Sequence, residues 1–338
     1  MRSNRSKLQQ IVGELHGIRM TSPTLVAIFV IIIICFSVLS PNFFKPNNFK
    51  SIVSNLGTIG LVVIGETTVI LSGGFDLSVG SIVGLDSLLL VGLLDRPKPL
   101  PLPIVLLVII FFGMALGGVN GTLVSILGIN PIIATLATMA IFRGFSYMYV
   151  EQVSIIKNRE FLQIGTGYLW SAIPYTLIYV VLLMLLASWL LKYTRIGRRM
   201  YLTGANAYAA MLAGVNPVAT RFCTYVISGV TSTLASIVLT SQVAMWRPGF
   251  GSGYELEAIS AGVLGGVSLK GGQGNLLSVF LAILILATIA NGLVLTDVSI
   301  YFRIIIRGAL LIMVVGIDSI RSLGFSFKKR RAHFSTAD

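Results

Sequence analysis

Apolar runs separated by short polar breaks repeat along the whole chain. With roughly 20 residues needed for one crossing of a bilayer, the runs fall at approximately 22–40, 51–72, 76–94, 102–126, 131–150, 172–191, 222–243, 254–269, 274–296 and 300–317. The pattern predicts an all-α polytopic membrane protein with about ten transmembrane helices. The stretches Thr24–Leu39, Ile104–Leu116 and Thr176–Leu191 are almost free of charge. The third and eighth runs are the weakest, because each carries acids and glycines. Short segments of alternating apolar and polar residues, which a membrane barrel needs, are not visible. The first run is too long and starts too far into the chain for a simple cleaved signal, and Ser40-Pro41-Asn42 after it is not a small-x-small site. It reads as a retained first span.

Composition sharpens this picture. Mean hydropathy is +0.90 and only 11% of residues are charged, against about 25% in soluble domains. A net charge of +13 raises the question of nucleic acid, but its distribution answers otherwise. Lys and Arg gather at the N-terminus (Arg2, Arg5, Lys7, Arg19), in one loop (Lys192, Arg195, Arg198, Arg199, Arg221) and at the C-terminus (Arg321, Lys328, Lys329, Arg330, Arg331). These flank spans, as expected where basic loops stay on the cytoplasmic side. An even span count places both termini and the loop 192–221 inside. The expected organisation is a cytoplasmic tail at 1–21, a transmembrane domain at 22–318 with 192–221 as a cytoplasmic coupling loop, and a basic tail at 319–338. Cys35 and Cys223 lie in apolar runs and read as small core residues; His16 and His333 lie in the tails. No metal or cofactor site can be argued from them.

Four segments could carry chemistry. The first is Gly73-Gly74-Phe75-Asp76-Leu77-Ser78-Val79-Gly80, an acid set among glycines between two apolar runs. It predicts a helix that breaks inside the membrane, which is tolerated only in protein or beside a cavity. Asp76 or Ser78 can cap the following helix. Alternatively, Asp76 faces the translocation path, or pairs with an intramembrane or interface group. The second is Glu66, alone in mid-span, which reads either as a functional carboxylate or as a hydrogen-bonded packing residue beside Gly65. Asp86, Glu257, Arg143, Arg303 and Arg307 are further candidates for lining or pairing. The third is the loop 192–221, where Asn206 or Thr203 can cap a short helix and Gly214 can end it. Such a helix suits docking into a partner's groove, or is a plain amphipathic connector. The fourth, Gly262 to Asn275, is glycine-dense but lacks the G-x-x-x-x-G-K-[ST] pattern of a phosphate loop. It reads as a tight turn between close-packed helices. Neither a nucleophile–base set nor metal-spaced residues occur, so catalysis is not expected. A weak internal echo links Phe75-Asp76-Leu77 with Tyr254-Glu255-Leu256, and Phe142-Arg143-Gly144 with Ile306-Arg307-Gly308. Matching runs are five apart, an odd offset, which implies inverted repeats.

These residues also resemble a known family. Gly73-Gly74-Phe75-Asp76-Leu77-Ser78-Val79-Gly80-Ser81 resembles the G-G-I-D-L-S-V-G-S signature of sugar ABC-transporter permeases of the ribose/xylose/arabinose/galactose class. Supporting matches are Ser40-Pro41-Asn42-Phe43-Phe44, Ile133–Met139 with Arg143-Gly144, Gly204-Ala205-Asn206 with Ala209-Ala210 and Gly214-Val215, and Gly253–Ala261. The resemblance implies a type II ABC importer permease-like fold with short or broken helices. It also implies a second permease subunit, identical or homologous, and separate ATP-binding subunits docked around Gly204, Asn206, Ala209, Ala210 and Gly214. A periplasmic or lipoprotein sugar-binding protein would deliver solute at the outer face of the bacterial inner membrane. Glu66, Asp76 and Ser78 are the translocation-path candidates. The chain departs from the family pattern at Phe75, where Ile is usual, at Ala205, where Gly is common, at Ala207-Tyr208, where an acid often stands, and at Glu66, where Met is common. The competing reading is an ion-coupled secondary transporter of small polar solutes using Glu66 and Asp76; the basic, glycine-bounded loop favours the importer.

Overall fold

The computed structural model describes residues 22–96, 100–148 and 155–316. The two tails, with His16, His333 and the terminal basic clusters, lie outside the described residues. The long helices are α1 (Ser22–Leu39), α2 (Pro46–Leu71), α3 (Val79–Leu94) and α4 (Leu102–Gly121), the last continued by a π-helical turn at Thr122–Ile126. Next come α5 (Pro131–Met148), a short α6 (Arg159–Thr166) and a hairpin of β1 (Tyr168–Leu169) and β2 (Ile173–Pro174). The chain continues through α7 (Tyr175–Tyr193), α8 (Arg195–Ala205), α9 (Ala207–Leu212), α10 (Pro217–Val243), α11 (Tyr254–Leu264) and α12 (Leu276–Leu295). Residues 300–316 form α13.

Among the described residues, six helices are long and apolar enough to cross a membrane: α2, α4 with its π turn, α5, α7, α10 and α12. Helices α1 and α3 are apolar but shorter. The eighth predicted run, 254–269, yields only the 11 residues of α11, about 16 Å of helix against a hydrocarbon layer of about 30 Å. The glycine turn that follows takes the rest of that run. Helix α6 and the first strand of the hairpin lie between the fifth and sixth runs, the second strand takes the start of the sixth, and none of them was anticipated. Asn158 caps α6 by accepting from the Phe161 N–H at 3.0 Å, and the Gly165 N–H donates to Ser241 Oγ on α10 at 2.7 Å.

Helix α10 is the axis of the bundle and packs on α2, α3 and α4. Its buried face is polar: Thr224, Ser228, Ser232, Thr233, Ser236, Thr240 and Ser241 all turn inward. Most of these hydroxyls donate back to a carbonyl three residues earlier or across to a neighbouring helix, so they satisfy themselves without water. Small residues make the approach possible. Gly113, Gly117 and Gly121 recur every fourth residue on α4; from α10, Gly229 meets the first two and Phe222 the third. A Cβ at Gly117 would stand 2.4 Å from the Tyr225 carbonyl oxygen and 3.1 Å from Gly229 Cα. Without a hydrophobic drive between helices in lipid, this backbone-to-backbone packing supplies much of the association.

Cys35 and Cys223, expected in the core, are exposed on the outside of the bundle. In a membrane chain an apolar run faces lipid as readily as protein, so its hydrophobicity does not mark the interior.

Replacing Gly117 with Val forces the α4–α10 crossing apart. The expected cost is at the upper end of the roughly 1–3 kcal/mol typical of overpacking, read as a lowered melting temperature in detergent. Gly92→Ala on α3, where a Cβ meets nothing within 4 Å, should melt at or above the parent.

Candidate functional site

Helix α2 stops at Ser72 because Gly73 takes φ +85°. The Gly73 N–H donates to the Ile70 carbonyl at 2.9 Å and the Gly74 N–H to the Val69 carbonyl at 3.0 Å, the paired bonds of a glycine-terminated helix. Gly74 is needed for space, since a Cβ there would lie 2.7 Å from the Tyr225 hydroxyl. The chain then runs without regular structure through 74–76 and turns at Leu77–Ser78 before α3 begins, so the predicted break is present.

Several groups exposed by the break find partners on other helices. The Tyr225 hydroxyl donates to the Phe75 carbonyl at 3.0 Å and Thr135 Oγ1 to the same oxygen at 3.3 Å. Arg221 Nε donates to the Ser72 carbonyl at 3.2 Å. Asp76 is fully buried. Its Oδ1 accepts from the Ser78 N–H at 3.0 Å, the Ser78 hydroxyl at 2.6 Å and Asn120 Nδ2 at 3.3 Å. Its Oδ2 accepts from the Ser228 hydroxyl at 2.9 Å. Asn120 Nδ2 also donates to Ser78 Oγ at 2.6 Å, and Asn120 Oδ1 accepts from Thr138 at 2.7 Å. The network thus links the break to α4, α5 and α10. Glu66 is buried beside it: Oε1 accepts from the Asp76 N–H at 3.3 Å, while Oε2 has no partner among the described residues. Asn120, Thr138, Ser228 and Tyr225 were not singled out from sequence.

Of the other candidate charges, Asp86, Arg143, Glu257 and Arg307 find partners on another element, and Arg303 has no carboxylate within ion-pair distance among the described residues. Asp86 Oδ2 on α3 accepts from Thr233 at 2.6 Å. Arg143 on α5 donates to Ser252 Oγ and lies 3.9 Å from Glu255. Arg307 on α13 meets Glu257 on α11 at 2.5 Å. Near these pairs, a cavity of about 690 Å³ opens between α2, α11, α12 and α13. Asn48, Ser51 and Asn55 of α2, Glu257 of α11, Asn291 of α12, and Arg303 and Arg307 of α13 contribute its polar wall. Glu66, Asp76 and Ser78 do not line it. Among the described residues no group of three His, Cys, Asp or Glu side chains could hold a metal ion.

The segment after α7 forms two short helices. Asn206 ends α8 and caps α9, its Oδ1 accepting from the Ala209 N–H at 3.0 Å. Gly214, at φ +79°, ends α9, with the Val215 N–H donating to the Ala210 carbonyl at 3.0 Å. Thr203, the alternative cap, is buried in α8 without a partner for its hydroxyl among the described residues. Ala209 and Gly214 are exposed, whereas Ala210 is 2% exposed and faces the chain. Tyr208, Met211 and Leu212 form the outward face. Gly204 sits against the break: a Cβ there would lie 2.0 Å from the Leu71 carbonyl oxygen and 2.6 Å from the Gly272 nitrogen. The Gly272 N–H donates to that Leu71 oxygen at 3.0 Å.

Asp76→Asn keeps an oxygen for the Ser78 and Asn120 donors, while Ser228 can turn its hydroxyl to accept from the new amide. It should melt close to the parent. Asp76→Ala leaves four buried donor groups without their acceptor, at about 1–3 kcal/mol for each left unsatisfied. It should melt far lower or fail to accumulate in the membrane. Thermal melts of the purified chains check the order.

Comparison with known proteins gives the context. Residues 48–315 match the family model described as branched-chain amino acid transport system / permease component. The chain is 35% identical over 327 residues to the ribose import permease protein RbsC of Bacillus subtilis (strain 168), covering 95% of this chain and all of that protein. It is 32% identical to RbsC of Escherichia coli (strain K12), covering 89% of this chain and 94% of the other. It is 34% identical to the L-arabinose transport system permease protein AraH of the same strain, covering 87% and 89%. No solved structure matches. With a family match across most of its length and relatives aligned nearly end to end, the chain belongs to the branched-chain amino acid transport system permease family, alongside ribose and arabinose import permeases.

Proposed function

We propose that this chain is the membrane-spanning permease subunit of an ATP-driven, binding-protein-dependent sugar importer in the bacterial inner membrane. It forms the translocation path and couples it to ATPase subunits on other chains, and carries no ATPase site itself. Relatives named for ribose, L-arabinose and D-allose support a sugar as the solute.

The observation that carries the coupling is the α8–α9 segment. A six-residue helix held at both ends by side-chain and glycine caps, with Tyr208, Met211 and Leu212 outward, is a preformed knob for a groove on a partner. Helix α8, which leads directly into it, touches the break at Leu71 through Gly204, with Gly272 bonded to the same carbonyl, so displacement of the knob reaches the loop that carries Asp76 by way of α8. Basic residues Arg195, Arg198 and Arg199 flank the segment, which supports a cytoplasmic location for it. On this reading the ten-span arrangement with inverted repeats holds, both tails are cytoplasmic, and a second permease subunit completes the path. The domain limits 1–21, 22–318 and 319–338 follow. Asp76 and Ser78 hold the break that shapes the path, and Glu66 stands next to it. An ion-coupled transporter would use the free oxygen of Glu66, but gives the capped, outward-facing α9 nothing to do.

Leu212 is 71% exposed. Leu212→Arg should leave melting unchanged while removing the ATPase subunit from affinity-purified complexes and lowering ATP-driven uptake at least tenfold. A complex that stays intact with full uptake would reject the docking role. Repeated purification of the parent chain alone would favour the ion-coupled reading.

A further inference from the structure

The cavity between α2, α11, α12 and α13 has unused bonding capacity of two complementary kinds. Asn291 is 7% exposed, and its Oδ1 is buried without a donor among the described residues. Arg303, on the facing helix, has a buried Nε–H without an acceptor there, and no carboxylate lies within ion-pair distance among the described residues. The remaining charges are already matched, Glu257 with Arg307. Asn48 spends its amide N–H on the Phe43 carbonyl at 2.9 Å, which leaves its Oδ1 as an acceptor. A buried polar atom without a partner is costly, and more so in a membrane chain. Two such atoms lining one cavity, one acceptor and one donor, are a recognition surface for a group that both donates and accepts. An anion would leave Asn291 unpaired, and an ammonium group would leave Arg303 unpaired. A hydroxyl satisfies both.

We propose that this cavity is a holding site for the solute inside a single permease chain, and that it binds a neutral polyhydroxylated molecule through Asn291 and Arg303, with Asn48 and Asn55 on the opposite wall. The proposal rests on the sugar-importer reading above and adds where the sugar pauses. The volume of about 690 Å³ falls in the range of roughly 300–1,000 Å³ common for small-molecule sites. Its location fits delivery from outside. Asn55 lies 16 residues before Leu71, about 24 Å along α2 from the junction with Gly204, so the site lies toward the end of the bundle away from the ATPase-docking segment. It is also separate from Asp76, whose two carboxylate oxygens are both engaged.

Two measurements test this. In a Cys35→Ser/Cys223→Ser chain, the Ala290→Cys thiol on the cavity wall is labelled with a water-soluble maleimide, with and without high millimolar D-ribose, L-arabinose or D-allose. At least one sugar should slow labelling several-fold, and the added substitution Arg303→Met or Asn291→Leu should abolish that protection. Labelling indifferent to all three sugars overturns the site, whether water or lipid fills it. The second measurement is ATP-driven uptake of the same sugars by the full complex in proteoliposomes. Asn291→Leu and Arg303→Met should each lower uptake at least tenfold. Because neither group has a partner among the described residues, the apolar variants should melt no lower than the parent, which separates a lost ligand contact from a lost fold. Uptake near the parental rate in both variants also overturns the proposal. If the parent takes up none of the sugars, the importer reading fails by itself, and protection of the Ala290→Cys thiol still decides the cavity.

Discussion

Everything in this bundle is arranged around one constraint: backbone that leaves the helix inside a bilayer must find its hydrogen bonds in protein. The seven residues from Ser72 to Ser78 are unwound, and their carbonyls and carboxylate are answered by three different helices. Tyr225 and Arg221 come from α10, Thr135 from α5, Asn120 from α4, and Gly272 closes on Leu71 from the turn before α12. Because these donors are fixed on separate helices, the break sets the relative positions of those helices. Helix α10 has to be polar on its inner face and glycine-bearing where it crosses α4, since both features let it stand close enough to serve the break.

The same constraint explains what could be read from the chain. Helix positions follow the hydrophobic runs closely, because twenty apolar residues have few other uses. The break was visible because glycine and aspartate are both out of place in such a run. The caps of α9 at Asn206 and Gly214 were visible because each residue does locally what its backbone or side chain permits. Partners of the break were not visible. Ser228 is one hydroxyl among many on α10, and nothing in its neighbours distinguishes it from Ser232 or Thr231. Asn120 offered the better clue, being an amide in an otherwise apolar stretch, which seldom occurs without a bonding partner.

Burial was the property least legible in the sequence. Cys35 and Cys223 sit in apolar runs yet face outward, while Glu66, Asp76 and Asp86 are fully enclosed. In water, hydrophobicity and burial rise together. In lipid the outer surface is as apolar as the core, so only polar residues report reliably on the interior. Ala210 shows the related difficulty at the surface: between Ala209 and Met211 its composition says nothing of direction, and it is the turn of α9 that points it inward and leaves the outward face to its larger neighbours.

The glycine junction of Leu71, Gly204 and Gly272 then acquires a mechanical meaning. Side chains at such a contact would cushion a displacement through rotamer changes, whereas backbone against backbone has no soft coordinate to absorb it. A shift of α8 is therefore passed to the end of α2 and to the loop holding Asp76, whose partners lie on α4, α5 and α10. The chain concentrates its permissive residues at the two places where helices must approach most closely, the α4–α10 crossing and this junction. The first holds the bundle together. The second connects the α8–α9 segment to the break, so a displacement of α8 reaches the loop that carries Asp76.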